Sequence, residues 1–195
     1  AVLSRINGQF HRQLSLRVIF EHPTLADLSY HLLSCLDDES LRESEIDVAD
    51  RQVPLALSWA QQRLWFIEQM DPGNAAYHIP AILDLRGRLN TSALETALRR
   101  LIDRHESLRT TFVANDDEAH QVITPSTVFH LRVKTLDQGS LEDRLQYAAA
   151  LAEVEARKSF DLTTGPLMRV LLLRLESQHW QLVVVQHHII SDGWS

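Results

Sequence analysis

Cysteine is almost absent from this chain: Cys35 is the single one in 195 residues. An intrachain disulfide framework is therefore excluded, and the usage fits a reducing, cytoplasmic compartment. Cys35 falls in a helical pattern and is expected to pack. Long apolar runs are also missing. No stretch approaches the length of a membrane span, and the amino terminus has neither a basic region nor a hydrophobic one, so secretion is not supported. Positive charge is sparse, with 19 Lys and Arg against 26 Asp and Glu. Seven of the acids lie between residues 37 and 50, against Arg42 alone, and carry nearly all of the net charge of −7. The remainder is close to neutral, which leaves no electrostatic footprint for nucleic acid. There is no internal repeat and no low-complexity tract. Histidines 11, 22, 31, 78, 105, 120, 130 and 179 show no metal-ligand spacing and read as surface or packing residues.

What is present is a globular composition, 45% hydrophobic, with room for one domain or for a small and a medium one. Residues 1–36 read as helical pieces. Val2, Leu3, Ile6 and Phe10 share one face, Leu25, Leu28, Leu32 and Leu36 another, and Thr24-x-x-Asp27 approximates a capping box. That length is too short for an independent core. The acidic stretch within residues 37–52 reads as a solvated linker. A second domain, residues 53–195, opens with Ser58-x-x-Gln61 capping a helix that carries Ala60, Leu64 and Ile67. Trp65, and Trp59 even more, are expected to pack in the core. Ile79–Leu85 reads as a strand, and Ser92-x-x-Glu95 as the start of a helix with an apolar stripe through Leu94, Leu98, Leu101 and Ile102. Strands are expected at 108–113, 121–123 and 131–133, and a helix at 141–158. Residues 167–175 and 180–186, joined by a polar tip, predict an antiparallel hairpin.

The densest chemical signal lies at the end of that hairpin, in His187-His188-Ile189-Ile190-Ser191-Asp192-Gly193-Trp194-Ser195. Leu182–Val185 is short and β-branched, so it predicts a buried strand delivering the two histidines to its carboxyl end. Neighbouring strand residues face opposite sides, so one histidine should face a core and the other a cavity, and the two cannot easily share a metal. An imidazole titrates near neutrality and suits general-base work. Asp192, across a turn that Gly193 lets bend, can set the geometry by pairing with an arginine elsewhere. Arg104 and Arg109 are the candidates, with a solvated cation at a helix's carboxyl-terminal pole as the other reading. Glu106 is placed to balance them.

His187-His188-x-x-x-Asp192-Gly193 resembles the HHxxxDG motif of the chloramphenicol acetyltransferase-like superfamily, in the form found in condensation domains of nonribosomal peptide synthetases. Ser58-Trp59-Ala60-Gln61-Gln62-Arg63-Leu64-Trp65 is similar to that family's first motif, and Arg104-His105-Glu106-Ser107-Leu108-Arg109-Thr110-Thr111-Phe112 to its second, in the family's order. Residues 1–36 resemble the carboxyl-terminal helices of a peptidyl carrier domain. The resemblance implies that the serine bearing 4'-phosphopantetheine lies upstream of Ala1, since Ser4, Ser15 and Ser29 lack a Gly-Gly-x-Ser context.

The expected architecture is α+β (mixed α/β): a partial carrier bundle, a linker, then the amino-terminal lobe of a two-lobed condensation domain. The implied parent reaction is amide formation between upstream and downstream carrier-bound thioesters, with adjacent synthetase domains as partners and with neither nucleic acid nor membrane. His188 would accept the amine's proton or orient the amine. His187, Asp192 and Gly193 would support it, Gly193 by a backbone N–H near the thioester oxygen. The resemblance further implies an ion pair from Asp192 to an arginine, Arg104 ahead of Arg109. With only one lobe, the isolated chain is expected to be inactive. An epimerization domain, a stand-alone acyltransferase and a non-catalytic interaction module are the competing readings.

Overall fold

A computed structural model describes residues 16–36, 49–115, 118–125 and 128–192. The chain divides into two compact units, Ala1–Val48 and Ala49–Ser195. In the first, helices α1 (Leu16–Glu21) and α2 (Leu25–Leu36) are described. Thr24 caps α2 as its spacing predicts: its hydroxyl oxygen accepts the Asp27 N–H at 3.1 Å and its O–H donates to the Asp27 carboxylate. The helix expected over residues 1–12, most of the acidic linker, and the Cys35 side chain lie outside the described residues.

The second unit is built from β1 (Leu55–Ala56), α3 (Trp59–Met70), β2 (His78–Arg86), α4 (Thr91–Arg104), β3 (Thr110–Asn115), β4 (Glu118–Ile123), β5 (Arg132–Thr135), α5 (Leu141–Arg157), β6 (Met168–Glu176) and β7 (His179–His187). A small antiparallel sheet has the order β1-β4-β3 and a larger one β2-β7-β6-β5, in which only β5 and β6 run parallel. The expected hairpin is β6–β7, registered Leu172 opposite Leu182. These central strands are apolar on both faces because both are covered, so they read as continuous runs rather than as an alternation. Leu172 and Leu173 have no exposed surface, and Val183 and Val185 retain 1%. Helix α5 packs against β2, β6 and β7, while Ile102 of α4 and Phe112 of β3 join the same core. Pro80, which has no N–H to give a ladder, sits on β2 at the sheet's edge.

Helix α3 begins where its sequence predicts. Ser58 accepts the Gln61 N–H, and the Gln61 side chain accepts the Ser58 N–H, which completes a capping box. Helix α4 begins two residues earlier than the Ser92 spacing suggests. Asn90 caps it, its side-chain oxygen accepting the Ala93 N–H, so Ser92 lies inside the first turn rather than at the cap. The expected packing of Trp59 is overturned: it is 87% exposed, on the solvent face of α3 that it shares with Arg63, Phe66 and Met70. Trp65 is partly buried against the core.

Candidate functional site

The three sequence motifs converge at the carboxyl end of β7. His187 closes the strand, and His188 is the first residue of the turn that follows. His187 is 2% exposed, in the core as one of the pair was expected to be, and His188 is open to solvent. Backbone bonds fix both: the His187 N–H donates to Leu167 at 3.0 Å and the His188 N–H to Tyr77 at 2.8 Å.

Beyond the strand the chain folds back on itself. The Ile190 N–H donates to the His187 carbonyl at 3.1 Å, and the Ile189 N–H to His187 Nδ1, also at 3.1 Å. An Nδ1 that accepts a hydrogen bond carries no proton, so His187 is the neutral Nε2–H tautomer. Burial, with the neighbouring His78 and His188 adding repulsion, lowers the His187 pKa to about 4, consistent with that assignment. His188 is oriented the other way. Its Nδ1 lies 3.0 Å from the Ser191 carbonyl oxygen, which can only accept, so Nδ1 carries the proton. In the neutral ring, Nε2 then holds the lone pair.

The first motif reaches this turn through Gln61, whose side-chain N–H donates to the Ile189 carbonyl at 3.4 Å. The second motif lines a cleft of about 260 Å³ against the third, with His105, Ser107 and Leu108 facing Gln186, Ile190 and Ser191. The site is thus assembled from α3, the segment after α4, and the end of β7.

The arginines are placed differently from one another. Arg109 is largely buried, donates to the Thr124 carbonyl, and lies 3.8 Å from Glu106, which also pairs with Arg51 at 2.6 Å. It braces the start of β3 against the end of β4. Arg104 is the last residue of α4, where a cation complements the helix dipole, and it is exposed with no ion pair among the described residues. Asp192 is exposed. Gly193 lies outside the described residues. No group of His, Cys, Asp and Glu among the described residues could hold a metal ion, and no described helix is long and apolar enough to cross a membrane.

Two histidines read from sequence as surface or packing residues have specific partners. His179 is buried and its Nε2 lies 2.6 Å from Asp84, tying β7 to β2. His78 meets the motif itself, its ring 5.8 Å from that of His187. Neither contact had a signal in local spacing, because each joins residues about a hundred positions apart.

A two-sheet α/β lobe with a histidine pair at a strand end, in a turn bonded by the first motif and facing the second across a cleft, defines a class, and likeness to known proteins identifies it. Residues 51–195 match the model of the condensation domain, and the chain belongs to that family. Its sequence is 42% identical over 200 residues to one of the linear gramicidin synthase proteins of Brevibacillus parabrevis, covering 100% of this chain and 2% of that protein. It is 40% identical over 192 residues to the cyclosporin synthetase of Tolypocladium inflatum, covering 98% and 1%. The chain therefore spans only a few hundredths of the length of the curated relatives it matches. Among solved structures, the starter condensation domain of rhizomide synthetase superposes with a TM-score of 0.67 at 30% identity, over 73% of this chain and 35% of that one. The fold is the mixed α/β amino-terminal lobe of a chloramphenicol acetyltransferase-like condensation domain.

Proposed function

We propose that this chain is part of a nonribosomal peptide synthetase, with residues 1–36 the end of a carrier domain, residues 37–52 a linker, and residues 53–195 the first lobe of a condensation domain. The match to the linear gramicidin synthase protein runs through the first unit as well as the second, which supports a shared domain order. The parent reaction is amide formation. The amine of a downstream carrier-bound aminoacyl group attacks the thioester carbonyl of an upstream carrier-bound acyl chain, a C–N bond forms, the C–S bond breaks, and the thiol leaves. The adjacent carrier and synthetase domains are the partners.

The observation that carries this reading is the tautomer of His188. With Nδ1–H committed to the Ser191 carbonyl, Nε2 is the nitrogen of an exposed ring that is left to accept the proton the attacking amine must lose, or to orient the amine. His187, buried and neutral, holds the turn rather than reacting. As the resemblance implies, Gly193 would offer a backbone N–H near the thioester oxygen, and Asp192 would set the geometry of the site through an arginine of the second motif, Arg104 or Arg109, in the complete protein.

The 4'-phosphopantetheine arm carries the thioesters. The chain has no Gly-Gly-x-Ser sequence to bear it, so the arm would reach the site from carrier domains elsewhere in the protein. Both substrates need a second wall opposite the cleft, so the isolated chain forms no peptide bond.

The test uses the complete synthetase, with a donor loaded on the upstream carrier and an acceptor on the downstream one, and mass spectrometry of the carrier-bound products. A dipeptidyl thioester is the expected result. A donor that is only racemised would contradict it and assign epimerization instead.

A further inference from the structure

The last turn of α5 and the two motif histidines meet through a residue that the reaction does not use. His78 opens β2 and stands opposite His187 in the strand register. Its Nδ1 lies 2.6 Å from the carbonyl oxygen of Ala156, in the last turn of α5. A carbonyl only accepts, so Nδ1 donates. The same ring meets Phe160 edge-on at 4.8 Å and His187 at 5.8 Å, and Phe160 meets His187 at 6.1 Å, closing a three-ring cluster beneath the site.

Immediately before His78, the carbonyl of Tyr77 receives the His188 N–H. One two-residue segment therefore grips both motif histidines, Tyr77 through the backbone of His188 and His78 through the ring and register of His187. His187 in turn accepts the Ile189 N–H, which shapes the turn that carries the His188 imidazole.

We propose that His78 is a positioning residue for His188, anchoring the end of β7 to the last turn of α5 so that neutral His187 can shape the turn presenting the reactive ring. The proposal rests on the reading of His188 as the reacting base. His78 acts on presentation and not on substrate capture, so its loss lowers kcat and leaves KM in place. His78→Leu removes the donor at similar bulk. His78→Asn returns an N–H to about the place of Nδ1.

The experiment compares wild type, His78→Leu, His78→Asn and His188→Ala in the complete synthetase, by single-turnover amide formation and by amide hydrogen exchange of residues 186–192. His78→Leu is expected to slow turnover about 10- to 100-fold, since small displacements of a reacting group cost that much. The acceptor KM should stay within about twofold, and the amides of His188 and Ile189 should exchange faster. His78→Asn should recover both rate and protection. A His78→Leu protein with a wild-type rate overturns the proposal, as does a His78→Asn protein that falls as far as the leucine variant. If His188→Ala is slow while His78→Leu is fast, the positioning role alone has failed. If His188→Ala keeps the wild-type rate, the reading of His188 has failed and the positioning proposal falls with it.

Discussion

Gln61 is bonded at both ends of its side-chain amide. Its oxygen accepts the Ser58 N–H at 2.9 Å, inside the capping box of α3, and its nitrogen donates to the Ile189 carbonyl at 3.4 Å, in the turn that follows the paired histidines. A residue whose spacing marks it as a helix cap is thereby also a tie between the first and third motifs.

The two functions of Gln61 can be separated. Ser58→Ala should remove about 1 kcal/mol of stability by loss of the cap, with little effect on turnover. Gln61→Glu keeps an acceptor for the Ser58 N–H but sets a carboxylate against the Ile189 carbonyl, so it should leave the cap largely intact and slow amide formation. Urea denaturation and single-turnover kinetics on the same two proteins check this. Equal kinetic effects would mean that the Ile189 contact is incidental.

His187 predicts a pH dependence of stability. Its folded pKa, about 4, lies below the ordinary histidine value of 6.5, so the folded state resists protonation that the unfolded chain accepts. Its contribution is complete above the unfolded value and declines as pH falls from about 6.5 toward 4, by ~3 kcal/mol in total. Denaturant titrations of the complete condensation domain at pH 7 and pH 5 should show the loss. His187→Leu should be less stable at pH 7, because the Ile189 N–H loses its acceptor, and its stability should vary less with pH across this window.

Arg169 of β6 closes the carboxyl end of α5. Its guanidinium donates to the carbonyls of Glu155, Lys158 and Ser159 and lies 3.6 Å over the Phe160 ring. The carbonyls of Glu155 and Lys158 are orphan acceptors of the helix end, that of Ser159 lies just beyond it, and a positive charge there also complements the dipole. Arg169→Met should cost about 2 kcal/mol or more, read as a lowered denaturation midpoint. Phe160 lies between Arg169 and His78, so turnover should fall as well.

Local pattern was enough for the features that are local in cause. The capping box at Ser58, the hairpin of β6 and β7, and the opposite facing of His187 and His188 follow from spacing over a few residues, and all three are present. Asn90 displaced Ser92 as the cap of α4 because two good capping residues compete within one turn, and only the path of the incoming chain chooses between them. Trp59 is exposed because it shares a helix face with Arg63, Phe66 and Met70, opposite Gln61, Leu64 and Glu68, and the apolar bulk of its ring does not outweigh that position. The contacts of His78 with Ala156 and of His179 with Asp84 depend on the packing of distant elements, and no spacing encodes them.

The central claim, that His188 is the proton acceptor in amide formation, is tested most directly by the single-turnover rate of dipeptidyl thioester formation in the complete synthetase carrying His188→Ala. Removal of a positioned general base is expected to slow the step by about 10²- to 10⁴-fold, with donor and acceptor loading unchanged. A variant that forms dipeptide at the wild-type rate would contradict the account and place the proton acceptor elsewhere.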